Sequence, residues 1–275
     1  MSAAIDRANE EFWSELCGSG FARQLGITEH TREALERFDR AYLEFYPYLL
    51  RRVHISEMRG KKVMEVGLGY GTLGQKIAEA GAEYFGLDLA SQPVMMMKHR
   101  LRMAHLQGDA MQGSILDCPA APESLDWVIS IGCFHHTGDI QRCIDETYRV
   151  LKPGGRATIM VYNRFSLRQW IWWPWHTLEA GFAEIGLRAN YPATPEKMRR
   201  FYDSSMSGEA APETKFSSIK ELRRAFGKYS HVEFFKENCD GLIVPKLHLT
   251  LIPRQRLLSS VATRVGTDIY VETQK

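Results

Sequence analysis

Apolar residues along this chain keep two different rhythms, and the changes of rhythm divide it. In the first 58 residues Phe38, Tyr42, Phe45 and Leu49 recur at helical spacing, with Pro47 interrupting the run. From Lys61 onward, short apolar runs alternate with longer amphipathic stretches. That pattern predicts strands near 62–67, 83–88, 104–108, 127–132 and 156–162, and helices near 72–80, 91–103 and 139–150. Such alternation argues a parallel sheet wrapped by helices on both faces, with ligands at the carboxyl ends of the strands. Between about 164 and 216 the alternation stops, over a length too great for an ordinary connection. A helix resumes near 217–228, and residues 231–237 and 268–273 read as the last two strands. The 241–266 stretch between them exceeds a hairpin and predicts a further helix near 254–265. The expected division is a helical cap (1–58), an α/β core (59–163), an insertion (164–216) and a segment completing the core sheet (217–275).

The first core strand runs straight into Gly67-Leu68-Gly69-Tyr70-Gly71, with glycine at alternate positions. Lacking a Cβ, Gly67, Gly69 and Gly71 let the backbone turn sharply and approach a bulky ligand. The N–H groups opening the next helix favour negative charge. An ordinary strand-to-helix turn would use the same residues. The overlapping stretch Gly69-Tyr70-Gly71-Thr72-Leu73-Gly74 also spells G-x-G-x-x-G, and Asp88 follows at a distance that fits an acidic ribose ligand. Glu65, two residues before the first glycine, separates the cofactor classes. A carboxylate there is poorly placed beside a dinucleotide diphosphate. S-adenosylmethionine instead brings a sulfonium, an α-amino cation and one carboxylate, and its amino group can pair with an acid.

Here the sequence resembles the class I S-adenosylmethionine-dependent methyltransferases, most closely the small-molecule group that includes the ubiquinone and menaquinone methylases. Glu65 to Gly71 resembles the family's first motif, which with the flanking Leu68 would cradle the cofactor. Asp88, followed by Leu89, stands where the family places a carboxylate on the ribose hydroxyls, though it could instead cap the helix after Ser91. Gly108-Asp109-Ala110 falls where the family contacts the adenine, although Asp after Gly is also common turn chemistry. Leu125 to Ile131, then Gly132-Cys133-Phe134-His135-His136, looks like the fourth strand and its active-site end, with Ser130, Ile131 and Gly132 beside the cofactor. Leu151-Lys152-Pro153-Gly154-Gly155 is similar to the turn before strand five. Five motifs in order, over about residues 60 to 163, carry the resemblance. It implies a doubly wound, mostly parallel seven-stranded sheet with its last strand antiparallel. It also implies methyl transfer from S-adenosylmethionine, leaving S-adenosylhomocysteine.

Composition narrows the partners. The 275 residues include 35 Lys plus Arg against 33 Asp plus Glu, so no strong field draws the chain to nucleic acid or anionic membrane. Lys98-His99-Arg100-Leu101-Arg102 reads as the solvated face of a helix. Five scattered cysteines (Cys17, Cys118, Cys133, Cys143, Cys239) without a C-x-x-C pair suggest a reduced, cytoplasmic setting. The charged N-terminus lacks a signal-peptide core. The longest run free of Asp, Glu, Lys and Arg extends only from Trp127 to Gly138, short of the roughly 18 residues of a membrane span.

His135, His136 and Tyr162 are the catalytic candidates, as a base or as groups orienting the acceptor. The plainer reading of the two histidines is packing against the cofactor or bonding to backbone. A metal site of Cys133, His135 and His136 is disfavoured, because adjacent histidines at a strand end rarely point the same way and no carboxylate completes the set. Substrate contacts are expected from Trp13, Tyr42 and Tyr46 in the cap and from Asn163 and Arg164 beyond strand five. Trp170 and Trp173 are expected to join them from a segment that also holds Trp172 and Trp175. That cluster reads first as an aromatic lid, then as packing against the sheet, then as an interfacial patch, since Trp suits such boundaries. Pro174 argues against one continuous helix there. Arg168, Arg199 and Arg200 could meet a substrate anion, although a solvated face suits the last two better. The expected acceptor is a small, partly apolar molecule. A nucleic-acid or protein methyltransferase, a non-catalytic cofactor-binding scaffold and a nicotinamide oxidoreductase stand behind it in that order.

Overall fold

The computed structural model describes residues 2–16, 19–205, 207–244 and 249–275. The N-terminal segment forms α1 (Ser2–Leu16), α2 (Ser19–Gln24), α3 (Arg32–Phe45) and α4 (Leu49–Arg52). Thr31 starts α3 by accepting the Ala34 N–H on its hydroxyl at 3.3 Å, a side-chain cap for an otherwise orphaned donor. The core then alternates β1 (Lys62–Val66), α5 (Thr72–Glu79), β2 (Glu83–Asp88), α6 (Ser91–Met103), β3 (Asp109–Gln112), β4 (Leu125–Ile131), α7 (Ile140–Val150) and β5 (Leu151–Tyr162). Helices α8 (Leu167–Trp172), α9 (Pro174–Glu184), α10 (Glu196–Tyr202) and α11 (Ile219–Ala225) follow, then β6 (His231–Glu237). A ribbon of β7 (Leu242–Val244) and β8 (Leu249–Ile252), helices α12 (Arg254–Leu258) and α13 (Ala262–Val265), and β9 (Asp268–Gln274) complete the chain.

Seven strands form one sheet in the order β3-β2-β1-β4-β5-β9-β6. β1 to β5 run parallel, and β9 lies antiparallel between β5 and β6. This is the doubly wound sheet with an antiparallel last strand that the sequence implied. Strand side chains alternate, so β1 feeds two cores. Val63 joins Trp127, Ile129, Ile77 and Met97 on the face covered by α5 and α6. Met64 and Val66 join Val128, Ile144, Leu222 and Phe226 on the face covered by α7 and α11. Glu65 shares the parity of Val63, which turns its carboxyl toward α5 and β2.

Four expectations need correction. The third strand is Asp109–Gln112, not 104–108. Helix α6 ends in a Schellman turn: His105 adopts φ 52°, its N–H bonds the Arg102 carbonyl, and the Leu106 N–H bonds the Leu101 carbonyl at 2.9 Å. That turn consumes the residues assigned to the strand. β5 starts at Leu151 rather than 156, because Leu151 already pairs with Leu125 before an irregularity in register. Residues 241–252 form a ribbon, and the helix expected over 254–265 is two short helices. Finally, Arg100 does not belong to a solvated face. It is fully buried, donating from Nη1 and Nη2 to Asp39 of α3 at 3.0 and 2.9 Å. It also donates from Nη1 to Gln75 at 2.9 Å and from Nε to the Tyr70 carbonyl at 2.6 Å. The expected break at Pro174 does occur, with proline opening α9. Of the five cysteines, Cys17 lies outside the described residues, and Cys118, Cys133, Cys143 and Cys239 are free thiols.

Because removing one partner of a buried pair strands the other charge, Arg100→Met should destabilise the protein by about 3–5 kcal/mol. Adding Asp39→Leu to that variant should recover part of the loss. Urea unfolding of both variants checks this, and a double variant no more stable than Arg100→Met would argue against the pair as the source of the loss.

Candidate active site

A cavity of about 310 Å³ opens where β1, β2, β3 and β4 deliver their carboxyl ends. Its floor is the glycine loop. Gly67 adopts φ 82°, and a Cβ there would stand 2.6 Å from Cys133 Cβ. Gly71, at φ 80°, would place a Cβ 2.7 Å from Arg100 Cδ. Both positions exclude any other residue, by conformation and by contact. Thr72 opens α5 and donates its hydroxyl to Asp39 at 2.6 Å, so loop, helix and cap are fixed together.

Two carboxylates face the cavity in different electrostatic states. Glu65 is buried and accepts the Tyr84 hydroxyl at 2.6 Å. Burial pushes its carboxyl up to about 8, against that hydrogen bond. Gly74 keeps this arrangement open, since a Cβ there would lie 2.5 Å from Glu65 Oε2 and 2.4 Å from the Tyr84 oxygen. Asp88 is held on both oxygens, Oδ2 accepting the Leu68 N–H at 2.7 Å and Oδ1 the Ala90 N–H at 2.9 Å. Burial raises it to about 6, with those backbone donors opposing. Each Asp88 oxygen keeps a further lone pair for a ligand hydroxyl.

His136 lines the cavity beyond the end of β4. Its Nδ1 lies 2.7 Å from the Glu213 carbonyl, which can only accept, so Nδ1 carries the proton and Nε2 the lone pair of the neutral ring. Trp13 packs against it at 4.7 Å between ring centroids, and Asn9 donates to its carbonyl at 2.7 Å. The roof comes from the N-terminal helices through Asn9, Trp13, Phe21, Phe38 and Tyr42.

Of the residues singled out from the sequence, the cavity gathers Glu65, Gly67, Leu68, Gly69, Gly71, Asp88, Leu89, Ile131, Gly132 and His136, with Trp13 and Tyr42. Others stand elsewhere. Asp109 opens β3 at the end of the strand away from the cavity, is exposed, and pairs with Lys98 at 3.2 Å. Ala110 is packed in the α5–α6 core. The shift of β3 gives their expected place to Gly113, Ser114 and Ile115. Ser130 is buried, its hydroxyl donating to the Val66 carbonyl at 3.0 Å between neighbouring strands. His135 is sealed behind His136, with Tyr162 at 4.1 Å between centroids, and burial holds its imidazole well below the usual range. Neither His135 nor Tyr162 borders the cavity, and neither does Tyr46.

The two candidates just beyond β5, Asn163 and Arg164, are held in structural contacts. Asn163 donates to the Gly266 carbonyl at 2.7 Å, and Arg164 pairs with Glu221 at 3.1 Å under Tyr191. The tryptophans of the insertion do not form a lid on this cavity. Trp173 packs on Phe201, while Trp170, Trp172 and Trp175 are 42, 54 and 79% exposed. Pro174 starts a new helix between them. Asn9 and the Gly113–Ile115 turn were missed from sequence. Gly113-Ser114 is a turn signal that the correct strand boundary would have exposed.

Residues 63–155 match the family described as a methyltransferase domain. A ubiquinone biosynthesis O-methyltransferase of Klebsiella pneumoniae is 32% identical over 106 residues, covering 38% of this chain and 44% of the relative. A demethylmenaquinone methyltransferase of Tropheryma whipplei is 30% identical over 104 residues, covering 38% and 43%. The chain therefore matches less than half the length of these curated relatives. A solved S-adenosylmethionine-dependent methyltransferase of Archaeoglobus fulgidus shares the fold, with TM-score 0.55 at 14% identity over 84% of this chain and 94% of that one. Residues 63–155 are thus similar to a methyltransferase domain, and the sheet that contains them shares the fold of that solved methyltransferase. That family implies S-adenosylmethionine as methyl donor.

The cavity fits such a donor. Glu65, a buried acid without a countercharge in hydrogen-bond contact, would take the α-amino cation. Asp88, with free lone pairs on a fixed carboxylate, would take the ribose hydroxyls. When bound, the donor supplies a methyl group already activated on a sulfonium.

The Glu65 carboxyl sets a pH dependence. Below about 8 it is mostly protonated in the free protein, so binding a cation there releases a proton. Donor affinity should rise roughly tenfold per pH unit toward about 8 and level off above it, and Glu65→Gln should flatten that slope. Calorimetry in buffers of differing ionisation enthalpy reads both; an affinity indifferent to pH in the parent protein would sink this reading of Glu65.

Proposed function

We propose that this protein transfers a methyl group from S-adenosylmethionine to a small, partly apolar acceptor bearing a hydroxyl on a flat ring. The observation that carries the reading is the cavity itself, with Glu65 and Asp88 along its floor and His136 open to it beneath an aromatic roof. Trp13, Phe21, Phe38 and Tyr42 suit a planar apolar acceptor. The relatives named for ubiquinone and demethylmenaquinone support the same class. A dinucleotide is disfavoured because the Glu65 carboxyl lies under the loop where a diphosphate would sit.

The protein's contribution is mainly alignment. Orientation of bound reactants supplies about 7–11 kcal/mol, whereas a positioned base adds about 10²–10⁴-fold in rate. His136 is the base in this reading. His136 borders the cavity, and the Glu213 carbonyl fixes the tautomer that leaves Nε2 its lone pair. Phe21, Phe38 and Tyr42 help to exclude water from the reacting atoms. The insertion has a separate role as an interfacial surface. Trp170, Ile171, Trp172, Trp175, Phe182, Ile185 and Leu187 are exposed on α8, α9 and the turn after α9, a composition suited to a lipid boundary where apolar acceptors reside. Among the described residues no helix is long and apolar enough to cross a membrane.

Incubation with labelled donor and a metabolite extract should yield a product heavier by one methyl group, read by mass spectrometry. His136→Gln should lower turnover by about 10²–10⁴-fold while leaving donor affinity within about threefold. Donor binding with no transfer to any extract would favour a binding scaffold. For the insertion, sedimentation with phosphatidylglycerol–phosphatidylcholine vesicles should carry the protein down, and Trp172→Glu with Trp175→Glu should abolish it. Equal sedimentation of parent and double variant would remove the interfacial role.

A further inference from the structure

One acidic side chain beside His136 has no part in that scheme. Asp203 stands at the end of α10, its N–H donating to the Arg199 carbonyl at 2.8 Å and its carbonyl accepting the Ala211 N–H at 3.0 Å. The backbone there is fixed at both ends. Its Oδ1 accepts the Tyr162 hydroxyl at 3.2 Å. Its Oδ2 is buried, has no hydrogen-bond partner among the described residues, and lies 3.7 Å from His136 Nε2. The neutral His136 ring carries its proton on Nδ1, so two acceptors face each other across that gap. Such a contact is unfavourable until a proton reaches Nε2, at which point it becomes a donor facing an acceptor. The arrangement is complementary to the protonated ring.

We propose that Asp203 is a positioning residue that compensates the charge of His136 once that ring has taken the acceptor's proton. The inference rests on the transferase reading for the source of the proton. In that step the acceptor hydroxyl oxygen bonds to the methyl carbon while the carbon–sulfur bond breaks, its electron pair going to sulfur. The hydroxyl proton passes to His136 Nε2, and its later loss to solvent restores the starting state. At 3.7 Å from Nε2 the carboxylate is near enough to favour the cation.

Other groups around His136 are accounted for. Trp13 and Asn9 reach it from α1, with Asp6 also bordering the cavity. Tyr162 faces it from β5 at 6.1 Å between centroids, His135 from its own turn at 4.2 Å, and Thr214 Oγ1 lies 3.4 Å from Nδ1. Arg168 acts on Asp203. Burial raises the Asp203 carboxyl, against the His136 charge, the Tyr162 hydrogen bond and Arg168, which agrees with a group awaiting a cation.

The test uses the whole chain without donor or acceptor. Nuclear magnetic resonance follows the His136 ring nitrogens against pH in the parent, D203N and D203E. The ring curve should move to lower pH in D203N and return toward the parent in D203E. In the parent, the Asp203 carboxyl carbon should report the same transition as the ring. An unmoved midpoint in D203N overturns the proposal. So do carboxyl and ring curves that move independently in the parent, a comparison that stands even where D203N does not fold. A shared transition in a protein that transfers no methyl group supports the pair and overturns the transferase reading instead.

Discussion

A guanidinium sealed from water holds the ligand-binding end of this molecule together. Arg100 arises on α6, yet its acceptors come from α3, from α5 and from the backbone of the glycine loop. A buried arginine must satisfy its fork of donors or forfeit a large desolvation energy, so those acceptors have little freedom to move. Asp39 in turn receives Thr72 as well as Arg100. The conformation of the loop and the seating of the N-terminal helices are therefore one structural fact. Glycine supplies the positive φ at positions 67 and 71, the carbonyl of Tyr70 is held by Arg100, and neighbouring side chains fill the space a Cβ would need.

The contrast between the two cavity carboxylates follows from the same economy of partners. Asp88 is met by two backbone N–H groups, which partly offset burial, whereas Glu65 meets one neutral phenol in a drier setting. Neither carboxylate has a cationic side chain in hydrogen-bond contact among the described residues. The cap contributes the apolar counterpart, since its aromatic rings close the opposite side of the cavity. The sheet thus brings the charged groups of the cavity and the helices its aromatic ones.

The alternation of short apolar runs and amphipathic stretches was enough to place most of the sheet, and the acid before the glycines was the residue that favoured one class of ligand for the loop. Both are local signals, carried by residues close in sequence. What escaped was set by contacts across the chain. Arg100 looks like any basic residue in a charged run until α3 supplies Asp39 from 61 positions away. The third strand was displaced because a histidine, not a glycine, closes α6 in the left-handed region. That small slip moved the expected adenine contacts to the wrong end of β3. The tryptophan cluster was read first as a lid over the cavity, whereas Trp170, Trp172 and Trp175 face solvent, an orientation that composition alone does not carry. Asp203 carried no sequence signal, since its partner His136 precedes it by the whole of β5 and most of the insertion.

Gly74 carries a lesson about pattern matching. Its missing side chain clears room for the Glu65 carboxyl and the Tyr84 hydroxyl, so the last glycine of a dinucleotide-like spelling serves an acidic floor instead. The letters record how closely a helix must approach the strand beneath it, a clearance that unrelated cofactor sites can demand alike. In this chain the fingerprint is a homonym, and its meaning comes from the residue that fills the gap.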